Sequence, residues 1–266
     1  MTATAGGPVA LFDLDGTLVR PGSVLQRLHM DAMASAIGAA VGTREPFVYR
    51  GGEMFYRDVN LAGFTDSGTV LTALRLAGVP VAEAAEQVPA VVAVMVERLE
   101  WAVTPEGWRG SDDLLPGARE VLEALAGAGF VLGMSTGNAR AVAAWKMRWA
   151  GLSDLLRDGG FGDEATERED VARAGAAALA LAGAAPHGVL VGDTTRDITA
   201  AHAAGLGCLA VTTGAATAAE LRVAGADAVV PGLCGGRVLD ALFRVAGHGA
   251  SPLTPALPGT PLAGPA

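Results

Sequence analysis

The chain is nearly without lysine: Lys146 is the only one among 266 residues. Basic residues are outnumbered, with 19 Lys and Arg against 28 Asp and Glu, for a formal net charge of −9. A basic footprint for nucleic acid is therefore absent, and no nucleic-acid partner is expected. An acidic surface repels anions at long range, so any anionic ligand must be held by local cations. Cysteine is also scarce. Cys208 and Cys234 are too few for a disulfide framework and lack CxxC spacing, which reads as two free thiols in a reducing compartment. The opening MTATAGG has no basic segment, and Asp13 interrupts the apolar run behind it, so no signal peptide is read. Uncharged runs such as 203–219 are studded with Gly and Thr and read as strand and loop, not as a bilayer span. The expectation is a soluble cytoplasmic protein, monomer or homodimer, with no membrane partner.

Apolar residues are plentiful, 51% of the chain, which is ample for a packed core of one or two domains. Residues 9–19, VALFDLDGTLV, organise the rest. Four apolar residues run into Asp13-Leu14-Asp15-Gly16-Thr17. A short apolar run ending in turn residues reads as a buried strand of a parallel sheet. Such sheets place ligands beyond the carboxyl ends of their strands. Asp13 and Asp15 stand there two apart, so their side chains start on the same side of the chain. Two crowded carboxylates are costly unless a cation or a proton compensates.

From 23 to about 109 the apolar spacing is helical, with loops at 42–46 and 51–52 and no convincing strand alternation. Afterwards strand and helix alternate. Strands are predicted at 130–135, 188–192, 207–211 and 228–230. Helices are predicted at 118–126, 138–150, 167–182, 195–204, 216–224 and 235–246. This pattern predicts an α/β doubly wound, Rossmann-like parallel sheet, interrupted after its first strand by an all-helical insert. The expected division is a core of 8–20 and 111–246, an insert of 21–110, and a disordered tail of 247–266. Residues 1–7 are expected to fray.

DLDGT resembles the first motif of the haloacid dehalogenase-like superfamily, whose members are mostly Mg²⁺-dependent phosphatases working through an aspartyl-phosphate. Three later segments resemble its other motifs in order. The first, FVLGMSTGN, ends a strand with Thr136, whose hydroxyl can donate to a phosphoryl oxygen; Ser135 is its neighbour. Gly137 and Asn138 follow, and a helix opening at Asn138 would offer free N–H groups to an anion. The next offers a basic residue before a helix, and Arg168 in FGDEATERE fits it. Lys146 lies inside the preceding helix and is read as badly placed. The last, VLVGDTTRD, brings Asp193 and Asp197 four apart and resembles the family's GDxxxD.

The resemblance implies the site. Mg²⁺ takes hard oxygen ligands, which Asp13, Asp193 and the backbone carbonyl of Asp15 would supply, with Asp197 direct or one step removed. Asp13 would be the nucleophile, and Asp15 would protonate the leaving oxygen and then serve as base. Arg168, Thr136, Gly137 and Asn138 would hold the phosphoryl oxygens. The class with a helical cap between the first two motifs has this layout, and AGFTD at 62–66 resembles phosphoglycolate-phosphatase-like members. Asp15 sets the chain apart from dehalogenases, which lack this second acid. The lysine-free insert sets it apart from phosphonoacetaldehyde hydrolases, which need a cap lysine. The expected activity is Mg²⁺-dependent hydrolysis of a small phosphate monoester. The alternatives are a sugar-phosphate mutase and a non-catalytic binding protein on the same fold. Arg20, His29, Arg50, Arg57 and Asp66 are the insert groups that could read a substrate.

Overall fold

The computed structural model describes residues 6–247, apart from 44, 51, 52 and 157. Strand β1 (Val9–Phe12) is apolar and fully buried, as a central strand covered on both faces must be. The chain then leaves the sheet for an insert made of α1 (Val24–Val41), β2 (Val48–Arg50), β3 (Glu53–Tyr56), β4 (Val59–Asn60), α2 (Asp66–Leu76) and α3 (Val81–Glu100). It returns through a 3₁₀ turn at Gly110–Asp113. Then follow α4 (Ala118–Gly127), β5 (Val131–Ser135), α5 (Arg140–Ala150), β6 (Gly159–Gly160), α6 (Arg168–Leu181) and β7 (Gly188–Gly192). The series closes with α7 (Thr195–Ala203), β8 (Gly207–Val211), α8 (Ala218–Val223), β9 (Ala228–Val230) and α9 (Gly236–Val245).

The six core strands form a parallel sheet in the order β6-β5-β1-β7-β8-β9. The chain moves outward from β1 in one direction through β5 and β6, then crosses back and moves in the other through β7, β8 and β9. The order therefore reverses at β1, and the crevice at that reversal is where such sheets bind ligands. Register makes the crevice specific. Phe12 is level with Met134 on one side and Val191 on the other. Asp13 therefore leaves β1 level with Ser135 and Gly192, and its N–H still reaches Val191 O at 2.9 Å.

The insert is mainly helical, but it is not all-helical. β2, β3 and β4 pair antiparallel into a small sheet where a loop and helices were expected. Strands of 3, 4 and 2 residues are too short for alternation to stand out. The expected loop at 51–52 lies outside the described residues. The insert and one face of the parallel sheet share a single apolar cluster, with Leu25, Met33, Tyr56 and Val70 in it beside Phe12 and Met134.

Two further differences are local. Gly6 and Gly7 do not fray: Gly7 O accepts from Ala185 N at 2.8 Å, and Gly6 lies against the Gly183 carbonyl so closely that a Cβ would not fit. Residues 1–5 and 248–266 lie outside the described residues, so most of the expected tail does too. Helix α5 starts at Arg140, not at 138, because Asn138 turns its side chain into the crevice. No described helix is long and apolar enough to cross a membrane.

Candidate active site

The crevice gathers four carboxylates from two strand ends. Asp13 and Asp15 follow β1, and the Gly16 turn between them and the second pair has φ +89°, where a Cβ would strike the Asp193 carboxylate. Asp193 follows β7 and takes a hydrogen bond from Thr17 Oγ1 at 3.3 Å. Asp197 sits in the first turn of α7. Carboxylate oxygens of Asp13, Asp193 and Asp197 lie within 4.8 Å of one another, and all three residues are buried.

Burial and mutual repulsion make this cluster electrostatically incomplete. Burial, then Asp197 and Asp15, push the Asp13 carboxyl up to about 7 against the pull of Arg168. Asp193 is raised well above the usual carboxylate range by burial, then by Asp197 and Asp13. Such a cluster of hard oxygens, short of positive charge, fits a divalent cation of the Mg²⁺ type. Asp13 and Asp193 could hold such an ion. Asp197 is already engaged: Oδ2 accepts from the N–H and hydroxyl of Thr194 in a capping box, and Oδ1 accepts from Arg168.

Arg168 opens α6 and is 4% exposed at its side chain, so its charge is committed to the crevice. Nη2 donates to Asp13 Oδ1 at 3.1 Å, to Ser135 O at 3.2 Å and to Asp197. One guanidinium thus links the acids of two strand ends.

Asp15 has a different partner. Lys146 Nζ donates to its Oδ2 at 2.5 Å, and Asn138 Nδ2 donates to the same oxygen at 2.9 Å. Burial alone would raise this carboxyl. Lys146, His29 and the two hydrogen bonds overcome burial, and the net shift is downward. Lys146 is therefore a site residue, contrary to the reading that it was badly placed. Its signal was present in the sequence: Ala139, Val142, Ala143 and Lys146 recur at helical spacing along the buried face of α5. A charge on an apolar stripe needs a partner.

The second-motif segment is arranged around Asn138. Thr136 is fully buried, and its Oγ1 accepts from Asn138 N at 3.2 Å and from Asn138 Nδ2 at 3.0 Å. Thr136 stands behind the cavity wall, while Gly137 and Asn138 line it. Asn138 does not cap α5. That task falls to Asp66 Oδ2, which accepts from Ala139 N at 2.7 Å, and to Asp163 Oδ1, which accepts from Arg140 N at 2.9 Å. Asp66 belongs to the insert, so the cap of a core helix is also a clasp. Asp66 N donates to Gly137 O at 2.7 Å and Ser67 N to Gly162 O at 3.2 Å, tightening the same seam.

A cavity of about 130 Å³ remains between the insert and the strand ends, with Asp13, Asp15, Asn138 and Arg168 in its floor. Of the insert groups named from sequence, His29 and Asp66 reach it. Arg20 is turned to Asp112 O and Asp113, Arg50 lies over the Phe55 ring, and Arg57 pairs with Glu45.

Solved structures share this architecture at low identity. A β-phosphoglucomutase from Clostridium difficile aligns with TM-score 0.60 and 15% identity, over 90% of this chain and 97% of its own. A predicted phosphatase from Clostridium acetobutylicum aligns with TM-score 0.54 and 18% identity, over 85% and 94%. A haloacid dehalogenase-like hydrolase from Streptococcus pneumoniae aligns with TM-score 0.53 and 19% identity, over 84% and 93%. These likenesses establish the fold. No curated protein sequence matches the chain. The family model described as haloacid dehalogenase-like hydrolase matches residues 8–205, which takes in the strand ends, the insert and both acid pairs, and the chain belongs to that family.

Proposed function

We propose that the protein is a Mg²⁺-dependent phosphomonoesterase that works through a phosphoryl group carried on Asp13. One observation supports this reading above the others. The register of β1 against β7 sets Asp13 beside Asp193 and Asp197, and Arg168 bonds the Asp13 oxygen Oδ1. A lone acidic turn has no need of a second acidic strand end or a buried arginine.

Mg²⁺ bound by Asp13, Asp193 and the Asp15 carbonyl would offset the acids' charge and polarise the phosphoryl oxygens. Arg168 would hold the transferring group against Asp13 and balance charge on its equatorial oxygens. Gly137 and Asn138 line the cavity from the β5 side, with Thr136 fixing the amide of Asn138. The insert, clasped through Asp66, would keep bulk water from the phosphorylated Asp13.

Asp15 has two tasks in turn. Ionised by Lys146, it is ready to take a proton from the water that hydrolyses the intermediate. A phosphoryl dianion beside it pushes its carboxyl back up, the direction needed to protonate a leaving oxygen in the first step. Its Oδ1 is buried without a hydrogen-bond partner, so one oxygen remains for this work while Oδ2 is held.

The test is phosphate release from an aryl phosphate with and without Mg²⁺, with acid-quenched protein mapped for phosphate by peptide mass. Mg²⁺-dependent release with label on Asp13 is expected, and Asp13→Asn should lose at least about a thousandfold. Release that survives Asp13→Asn would sink the assignment of the nucleophile.

A further inference from the structure

The cavity has two unlike halves, and the second half describes the substrate. Its floor holds the charged groups assigned to the phosphoryl group. Its opposite wall comes from the insert and is largely apolar: Met30, Met33, Met54, Leu61 and Phe64 line it. No arginine of the insert reaches that wall among the described residues. Arg20, Arg50 and Arg57 are engaged elsewhere, as above; Arg27 donates to Gly22 O and Arg98 to Ser35. Arg75 and Arg109 are exposed to solvent. Lys146 stands behind Asp15, outside the lining.

The same wall carries an unsatisfied polar group. His29 is 1% exposed, and neither ring nitrogen has a hydrogen-bond partner. Nε2 stands 3.2 Å from Asp66 Oδ2, off the direction a hydrogen bond needs. Nε2 thus has the Asp66 carboxylate beside it, while Nδ1 is buried without a hydrogen-bond partner, which is costly unless a polar group meets it. Of the other insert polar groups in the lining, Gln26 Oε1 already accepts from Gly22 N at 2.6 Å and Asp66 caps α5, while Thr69 adds a buried hydroxyl.

We infer that the alcohol half of the ester is uncharged and mostly apolar, and that it presents one hydrogen-bonding group to His29. The inference rests on the phosphomonoesterase reading and narrows it. A second phosphate or a carboxylate buried against Met30 and Met33 would lie beside the acid of Asp66; the guanidinium of Arg196 in α7 stacks on the Phe64 ring, 4.5 Å from its centroid, but Arg196 is exposed and outside the lining. An unpaired buried anion of that kind is strongly disfavoured. The wall therefore disfavours a second negative charge held deep against Met30 and Met33.

The test uses the intact protein with Mg²⁺ and three phosphonates that cannot be hydrolysed: propylphosphonate, hydroxypropylphosphonate and phosphonopropionate. Calorimetry should show both uncharged-tail compounds binding at least about tenfold more tightly than the carboxylate. The hydroxyl-bearing compound should bind more tightly than propylphosphonate, and His29→Ala should bring the ratio of the two affinities to about one. Equal or tighter binding of phosphonopropionate, or no binding of any of the three, would overturn the inference. If His29→Ala does not fold, the wild-type order of the three compounds decides it. Because these ligands bypass turnover, selective binding without phosphate release from the matching esters would fail the catalytic reading alone.

Discussion

Lys146 Nζ lies 2.5 Å from Asp15 Oδ2, joining the interior of α5 to the acid two residues beyond Asp13. The lysine has no solvent exposure and the carboxylate has 20%, so this pair stands between a surface bridge and a fully buried one.

Replacing Lys146 with Met strands a mostly buried carboxylate. Lys146→Met should cost about 2 kcal/mol in urea unfolding at neutral pH. Adding Asp15→Asn should recover part of it, since the stranded charge is then gone. The folded-state carboxyl of Asp15 lies below its ordinary 3.8, so its stabilising effect is present above pH of about 4 and fades as pH falls through the folded value. The deficit of Lys146→Met should shrink accordingly in acid.

Asp13 and Asp193 carry the opposite shift. Their folded-state pKa values are raised, Asp13 to about 7, so their contribution to stability is full below the ordinary 3.8 and is lost as pH rises through the folded value. Metal-free protein should therefore lose stability from this cluster between about pH 4 and pH 7. Mg²⁺ should raise the melting temperature more at pH 8 than at pH 5, because binding must displace fewer protons. Asp193→Asn in chelator should melt a few degrees higher than wild type at pH 8, roughly 1–2 kcal/mol, and match it near pH 4. A Mg²⁺ response that is the same at both pH values would count against the cluster as the metal site.

Arg168 bridges two acids with one planar group, which an ammonium cannot copy. Arg168→Lys should keep some turnover and lose about tenfold to a hundredfold in kcat. Arg168→Met should lose more, and should also lower stability by roughly 2–4 kcal/mol because Asp13 and Asp197 are left facing each other. Steady-state kinetics and thermal unfolding of the two variants check this ordering.

Asp66→Ala removes the acceptor for Ala139 N at the start of α5 and, with it, one tie between insert and core. Loss of a helix cap costs about 1 kcal/mol. The same change should raise amide hydrogen exchange at Ala139 and across 62–67 well above the rise elsewhere in the chain, since those residues form the seam.

Much of this site could be read along the chain, and the unread part shares a cause. Asp13, Asp15 and Asp193 each follow an apolar run into a turn, a pattern that is local. Arg168 begins a helix, which is local too. The helix was expected to open at Asn138; it opens at Arg140, and the Asn138 amide instead spans 123 residues to Asp15. Lys146 was passed over because its partner lies 131 residues away. The short strands of the insert escaped because pairing, not alternation, defines them.

By itself, the order of residues determined the buried strands, the acids at their exits, the interruption after β1 and the scarcity of cations. Those properties depend on neighbours within one turn or one strand, where periodicity and backbone preference act. Only the tertiary structure decided which cation serves which acid: Lys146 for Asp15, and Arg168 shared between Asp13 and Asp197. It also decided that the insert shows the crevice an apolar wall and a buried histidine beside the Asp66 carboxylate. Charge pairing in a buried site is set by strand register and side-chain direction across distant segments, and neither is written in local spacing.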